Sequence, residues 1–573
     1  MNGFIVILST VKNRPVNIPV FWKESFDFQS SNILQKSIGD NFQIERFSSS
    51  KFVNEKFWIE TNDYLFVNEG IIQNKRDLCK QNNVKDFKNL INKYYDNNNN
   101  TFFSEFEGNF SGFFFNKYKN AWIVFNNKTG IKKVFYFYGD DYLIFASDLK
   151  TLTESLKTLR ISYSLNEEGA YLLLSSGFMH ENLTLINEIK QLRAGEYCCY
   201  SSEKLKVESY FNLKKICETN DSKKIIIEQL DSLFKAAIRL EFQIDKNNNY
   251  KHLTTLSGGL DSRMTALMAY KMGYQDQMLF NFSELGYADE IIAKQIAKTY
   301  ELKLIQIELD ALSMVSIDDV VKVNDGLTLY SGCSHAFNAI AKINNTENVL
   351  IHTGMIGDAV MGSFVSQINT SKPKIEDGHY SQSLLKRVEG FLNNSIQNYP
   401  SEELYKFYNR AFLGANNGFL YFDLIGESFS PFLNSNFLSY AYSIPRQYKY
   451  KENIYIDWIK TLHPDIANFT WENIGGKPTN NEYLRFYYLY KRAFVKRLPI
   501  KTMWKNNMNP EQLWYDNNKN IQITLDFYFA EHIELLNDFK ELQGDAIELY
   551  KTGNITEKTQ VLTLLSAFKL LFK

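Results

Sequence analysis

The residues best able to do chemistry stand together at Ser257-Gly258-Gly259-Leu260-Asp261-Ser262. An apolar run from His252 to Leu256 leads straight into them, and a helical pattern follows. Backbone N–H groups of a glycine-rich turn, with the positive end of the next helix, make a cradle for an anion such as pyrophosphate. Two adjacent glycines let the chain approach phosphates closely, the two serine hydroxyls can donate hydrogen bonds, and Asp261 is free to hold Mg²⁺. Gly, Ser and Asp are also ordinary turn and N-cap residues, so Ser-Gly-Gly alone would specify little. The whole hexapeptide between a strand and a helix is what marks the site.

The elements that must position this turn follow from the surrounding pattern. From about Asp221, brief apolar strands alternate with long amphipathic segments, as in a parallel sheet flanked by helices. Strands are expected at 252–256, 278–282, 303–307 and 349–352, and helices at about 262–271 and 289–300. The remainder reads as mostly helical, with an irregular GGKPTNN stretch at 475–481 and a helical tail from Asn520. The first two hundred residues are instead short β-rich runs at 4–8, 64–67, 122–125, 133–138 and 142–145, separated by Asn, Asp and Gly clusters. The chain thus divides into a layered, sheet-rich domain over 1–215 and an α/β domain over 216–573.

The hexapeptide has the form of the pyrophosphate loop of ATP pyrophosphatases, and no Gly-Lys-Ser/Thr ends it as in a Walker loop. With it the chain resembles the asparagine synthetase family, whose relatives include the β-lactam synthetases and lasso-peptide cyclases. The resemblance implies an N-terminal Ntn-hydrolase-like αββα domain of glutaminase type and a C-terminal ATP-pyrophosphatase domain. The latter, adenine nucleotide α-hydrolase-like with a parallel sheet, adenylates a carboxylate and lets an amine displace AMP. Thr353-Gly354-Met355-Ile356-Gly357-Asp358 resembles the family's second ATP-site segment, making Asp358 the partner of Asp261 on a shared Mg²⁺. Phe282-Ser283, followed by Asp289-Glu290, resembles the adenosine-side strand end and its helix. ATP and Mg²⁺ are the implied cofactors. The implied nucleotide site comprises Leu256, Ser257, Gly258, Gly259, Asp261, Ser262, Phe282, Thr353 and Gly354. In the stretch 497–507, which resembles the part of the family that carries a pyrophosphate-contacting lysine, Asn507 falls on that lysine's place. Lys505 becomes the candidate, with Lys501 and Lys477 behind it.

Several positions depart from the family. Met1-Asn2-Gly3 stands where the family opens Met-Cys-Gly, and an amide has no thiolate with which to form a thioester from glutamine. Phe106 to Phe110, Thr129 to Lys132 and Phe145 to Asp148 still resemble the glutaminase fold, but Asn68-Glu69-Gly70 replaces the family's Asn-Gly-Glu in a glutamine-binding loop. Met355 and Ala359 stand where asparagine synthetases carry Glu, so aspartate is not the expected substrate.

Lys and Arg number 64 against 65 Asp and Glu, which gives no electrostatic reason for a nucleic-acid or membrane partner. Cys79, Cys198, Cys199, Cys217 and Cys333 show no CxxC spacing and read as reduced and mostly buried, with Cys198 and Cys199 on opposite faces of a strand. His335 and His352 lack the spacing of metal ligands. A cytoplasmic protein is expected. Its function reads as an amide-forming ligase without glutaminase activity, acting on a small-molecule, peptide or sugar-acid carboxylate. The alternatives are an amidotransferase on a sugar acid of a surface polysaccharide, fed with ammonia by another protein, and a nucleotide-binding scaffold without turnover. A separate ammonia source or a homodimer completes the expected partners.

Overall fold

The computed structural model describes residues 3–11, 14–23, 32–244, 248–343, 348–496 and 509–573. Two six-stranded antiparallel sheets lie face to face at the amino end. One runs in the order 189–191, 135–138, 142–146, 3–9, 42–49, 32–38, and the other 204–209, 196–201, 121–126, 108–116, 64–72, 57–60. Alternation along the strands assigns their faces. Phe4, Val6 and Leu8 meet Phe113, Phe115 and Trp122 between the sheets, whereas Ile5 and Ile7 point away toward helices Leu149–Thr158 and Glu167–Ser176. The second sheet turns Phe66, Phe110 and Phe125 outward onto helices Lys75–Gln81 and Phe87–Asp96. This is the expected αββα layering. Cys198 faces the inter-sheet core and Cys199 the opposite side, as alternation requires. Fewer cysteines are buried than expected: Cys198 and Cys333 are, Cys79 and Cys199 are half-buried, and Cys217 is exposed in the segment that leads from the last strand to the next helix.

The second half centres on five parallel strands: β1 (Lys251–Thr255), β2 (Gln277–Ser283), β3 (Leu304–Glu308), β4 (Val349–His352) and β5 (Gly426–Phe429). Their order is β3-β2-β1-β4-β5. The chain winds outward from β1 in one direction and then returns to its other side, so the switch point lies between β1 and β4. In such sheets ligands sit in the crevice at the carboxyl ends of those two strands. A parallel sheet must be covered on both faces. Helices α1 (Lys223–Phe242), α2 (Leu260–Lys271) and α3 (Ala288–Thr299) cover one with Phe234, Met264, Leu267, Ile292 and Ile296. Helices α4 (Ile317–Asn324) and α5 (Ser331–Ala341) cover the other through Val320, Phe337 and Ile340, against Leu253, Phe280 and Ile351.

Strand β5 is an element that the expectation of a mostly helical remainder did not include. Gly-Glu-Ser-Phe offers no apolar run to read, and its polar residue is satisfied from outside the domain: Glu427 takes Lys56 at 3.3 Å and Lys132 at 2.9 Å. The last helix, Ile555–Phe572, is apolar on most sides because it is packed on most sides. It joins the helical layer of the first sheet to α4 within one continuous core.

Candidate active site

The turn after β1 lies at the carboxyl edge of the sheet, beside the switch point. Helix α2 has Gly259 as its N-cap and no side-chain cap, which leaves its positive end for an anion. The rest of the turn is less open than its sequence suggests. Ser257 N–H donates to Ser262 Oγ at 2.9 Å, Gly258 N–H to Asp289 Oδ1 at 2.8 Å, and Gly259 N–H to Ser257 Oγ at 3.2 Å. Gly258 faces the protein instead of the cavity, since a Cβ there would meet Glu472 and Ile292. Asp289, expected on the adenosine side, braces this turn from α3.

The segment after β4 crosses the same edge and presses against the first. A Cβ on Gly354 would run into the backbone of Asp261 and Ser262, and one on Gly357 would lie 2.5 Å from Asp261 Cγ. Glycine at both positions is what lets the two loops touch. Between them Ile356 takes φ 67°, a costly conformation for a β-branched residue and one typical of functional sites. The contact closes with Asp358 N–H donating to Asp261 Oδ2 at 2.8 Å.

Asp261 is thereby set beside two other carboxylates, Asp358 and Glu452. Burial, then repulsion from Asp358 and Glu452, pushes its carboxyl well above the usual range. Glu452 is raised to about 7 by burial and by Asp358. It precedes helix Asn453–Leu462 and follows Lys451 in a left-handed pair, with φ 58° and 55°. Asp261 Oδ1 is buried without a hydrogen-bond partner. Clustered carboxylates and an orphaned oxygen fit a cation. Among the described residues no cluster of three or more His, Cys, Asp or Glu has the arrangement of a complete protein metal cage. Mg²⁺ is commonly held by one or two carboxylates, with water and phosphate oxygens filling the rest.

Both loops open on a cavity of about 480 Å³. Of the expected residues, Leu256, Ser257, Gly259, Asp261, Ser262, Phe282, Thr353, Gly354 and Asp358 line it; Gly258 does not. Met355 and Ala359 line it as well, so the wall at these family positions offers neither acid nor base. His335, read from the sequence only as lacking metal-ligand spacing, stands in the wall 5.6 Å from the Phe282 ring, and burial lowers it to about 4. His352 is buried in β4 against His252 and Glu241, away from this wall. Neither His335 nor Glu452 carries a local motif; each reaches the site through tertiary packing. Lys477 is exposed and donates to Asn468 Oδ1 at 3.2 Å. Asn2, Lys501, Lys505 and Asn507 lie outside the described residues.

In the first domain, Asn68-Glu69-Gly70 belongs to strand 64–72. Glu69 is buried and ion-paired to Arg46, and Ser48 Oγ donates to it at 3.2 Å. Arg46 lies across the ladder from Phe4.

Residues 57–211 match the glutamine amidotransferase domain family. The match begins after strands 3–9, 32–38 and 42–49. A Methanocaldococcus jannaschii protein named as a glutamine-hydrolysing asparagine synthetase is 24% identical over 211 residues, which is 36% of this chain and 40% of that relative. The chain therefore spans well under two thirds of the relative it matches. Among solved structures, the allosteric regulatory enzyme of purine biosynthesis aligns with 69% of this chain and 72% of its own at 10% identity and a TM-score of 0.22. Glutamine phosphoribosylpyrophosphate amidotransferase from B. subtilis, complexed with ADP and GMP, aligns with 73% and 94% at 11% identity and a TM-score of 0.23. Likenesses that slight carry no argument. What the chain shares with glutamine amidotransferases is thus a likeness over residues 57–211.

Proposed function

We propose that this protein is an ATP-dependent amide-forming ligase that activates a carboxylate as its acyl-adenylate, releases pyrophosphate, and does not hydrolyse glutamine. The observation that carries the reading is the meeting of two loops at the sheet's switch point, with Asp261 and Asp358 in contact and Asp261 Oδ1 unpartnered. The open end of α2 and the Ser257 and Ser262 hydroxyls would receive the phosphates. Asp261 and Asp358 would hold Mg²⁺, which supplies charge neutralisation at the phosphate oxygens. A substrate carboxylate oxygen would then attack the α-phosphorus, and pyrophosphate leaves. An amine nitrogen next attacks the acyl carbon, its proton passes to solvent, and AMP leaves. Met355 and Ala359 cannot take that proton. His335 in the same wall is a weak base because burial lowers it to about 4, so catalysis at this step leans on holding amine and acyl carbon together, which favours an amine already on the substrate.

Loss of glutaminase activity is supported by Asn2 in place of cysteine and by the Arg46–Glu69 ion pair in the former glutamine-binding segment. Asp261→Asn or Asp358→Asn should abolish Mg²⁺-dependent exchange of labelled pyrophosphate into ATP while circular dichroism stays native. Exchange surviving in both variants would overturn the assignment.

A further inference from the structure

Away from the nucleotide loops the cavity follows one face of the helical segment 407–418, on which Arg410, Ala411, Gly414, Ala415 and Gly418 all line it. Four of these five are Ala or Gly, and the absence of larger side chains lets Phe178 close on Gly414, where a Cβ would meet its ring at 3.0 Å, with the cavity beside them. Gly418 marks the end nearest the reacting groups, since a Cβ there would come within 2.7 Å of Met355 Cε. Arg410 marks the other end, two helical turns away, a separation on the order of 10 Å. Between them the opposite wall is apolar: Phe178, Leu329, Phe364 and Phe422.

Arg410 is exposed, and its guanidinium lies 6.0 Å from the Phe364 ring and 5.7 Å from the Tyr380 ring. No carboxylate among the described residues pairs with it. Its acidic neighbour Asp377 is instead 3.8 Å from Lys406, which also faces Glu402 at 3.7 Å. Arg410 is the one Lys or Arg among the described residues of the cavity wall. A guanidinium beside two rings and without a carboxylate partner is suited to bidentate binding of a carboxylate or phosphate.

We propose that Arg410 forms a second anion subsite, which binds a carboxylate or phosphate at the far end of the acyl substrate. An apolar body separates that group from the carboxylate activated beside Met355. The proposal rests on the ligase reading for the direction in which the substrate lies. It assigns a substrate class: long acids anionic at both ends. Aspartate is too short to reach from one end to the other.

The test uses the full chain and calorimetric titration, with and without Mg²⁺ and α,β-methylene-ATP. The probes are octanoate, octanedioate and 8-phosphonooctanoate. Octanedioate, phosphonooctanoate or both should bind the wild type roughly 10- to 100-fold more tightly than octanoate, and the tighter of the two identifies the anion. Arg410→Met should bring both down to the affinity of octanoate, leave octanoate and the nucleotide analogue unchanged, and melt within the range of the wild type. Arg410→Lys, which keeps the charge and loses the fork, should fall between. Equal affinity of all three acids for the wild type, or no binding of any, overturns the subsite. Loss of nucleotide affinity in Arg410→Met also overturns it, because the guanidinium would then be serving the phosphates of ATP. Failure of the wild type to bind the analogue would count against the ligase reading alone, since the acids are also titrated without nucleotide.

Discussion

Replacing Gly357 with alanine tests whether the two loops must touch for the site to work. An ideal Cβ at that position would lie 2.5 Å from Asp261 Cγ and 2.8 Å from its Cβ and Oδ1. Carbon atoms rest comfortably near 3.5 Å, so the Asp261 carboxyl must withdraw by about 1 Å. Mg²⁺ takes its oxygens at about 2.0 to 2.1 Å with little tolerance, and a shift of that size removes Asp261 from a shared ion. On the proposed reading, Mg²⁺-dependent affinity for α,β-methylene-ATP should fall roughly 10- to 100-fold. Overpacking of this kind should also lower stability by about 1 to 3 kcal/mol. Gly332→Ala in the same cavity is the control, since its Cβ would meet nothing nearer than Leu329 Cδ2 at 3.7 Å. Isothermal titration at fixed Mg²⁺, with thermal denaturation alongside, reads both effects. Affinity equal to wild type in Gly357→Ala would refute the reasoning that places the ion on Asp261.

Burial lowers Lys133 to about 7, with only the Gly130 and Phe412 carbonyls, at 3.1 and 3.4 Å, to accept from its amine. The folded value lies below the unfolded one, so the unfolded chain binds more protons between about pH 7 and 10 and stability rises with pH across that window. Lys133→Met should therefore raise stability at pH 7 by about 1 to 3 kcal/mol and flatten the rise; denaturation at pH 7 and pH 9 would expose an error as an unchanged slope. Purified protein should release no glutamate from glutamine above the buffer rate. Asn2→Cys alone should not restore release, because Glu69 remains bound to Arg46; a glutaminase-active Asn2→Cys variant would show that the pocket is intact.

Strong local chemistry made part of this molecule readable. Ser257 to Ser262 sits where its strand-turn-helix pattern put it, and β1 to β4 appear within a residue or so of their apolar runs. The αββα layering of the first domain was implied by the family resemblance, whereas Phe4 to Leu8 is apolar throughout and only the structure shows which residues face the inter-sheet core and which the helices. What escaped was settled by distant partners. Strand β5 carries Glu427, which belongs inside only because Lys56 and Lys132 arrive from the other domain. Glu452 joins Asp261 and Asp358 through a left-handed backbone pair that neither Lys451 nor Glu452 favours. Gly258 looked like part of the cradle by its type alone, and Asp289 turns its N–H away. Arg410 has no motif; only the packing of the helical segment 407–418 along the cavity brings it to the wall.

The most direct test of the ligase reading is the fate of ATP. Purified protein would be incubated with Mg²⁺, ATP labelled at the α- and γ-phosphates, and acids of the two-ended class, and the nucleotide products separated by chromatography. The expected result is AMP and pyrophosphate in equal amounts, dependent on the acid and absent in Asp261→Asn. ADP with phosphate as the products, or ATP that is bound and never consumed under any of these conditions, would contradict it.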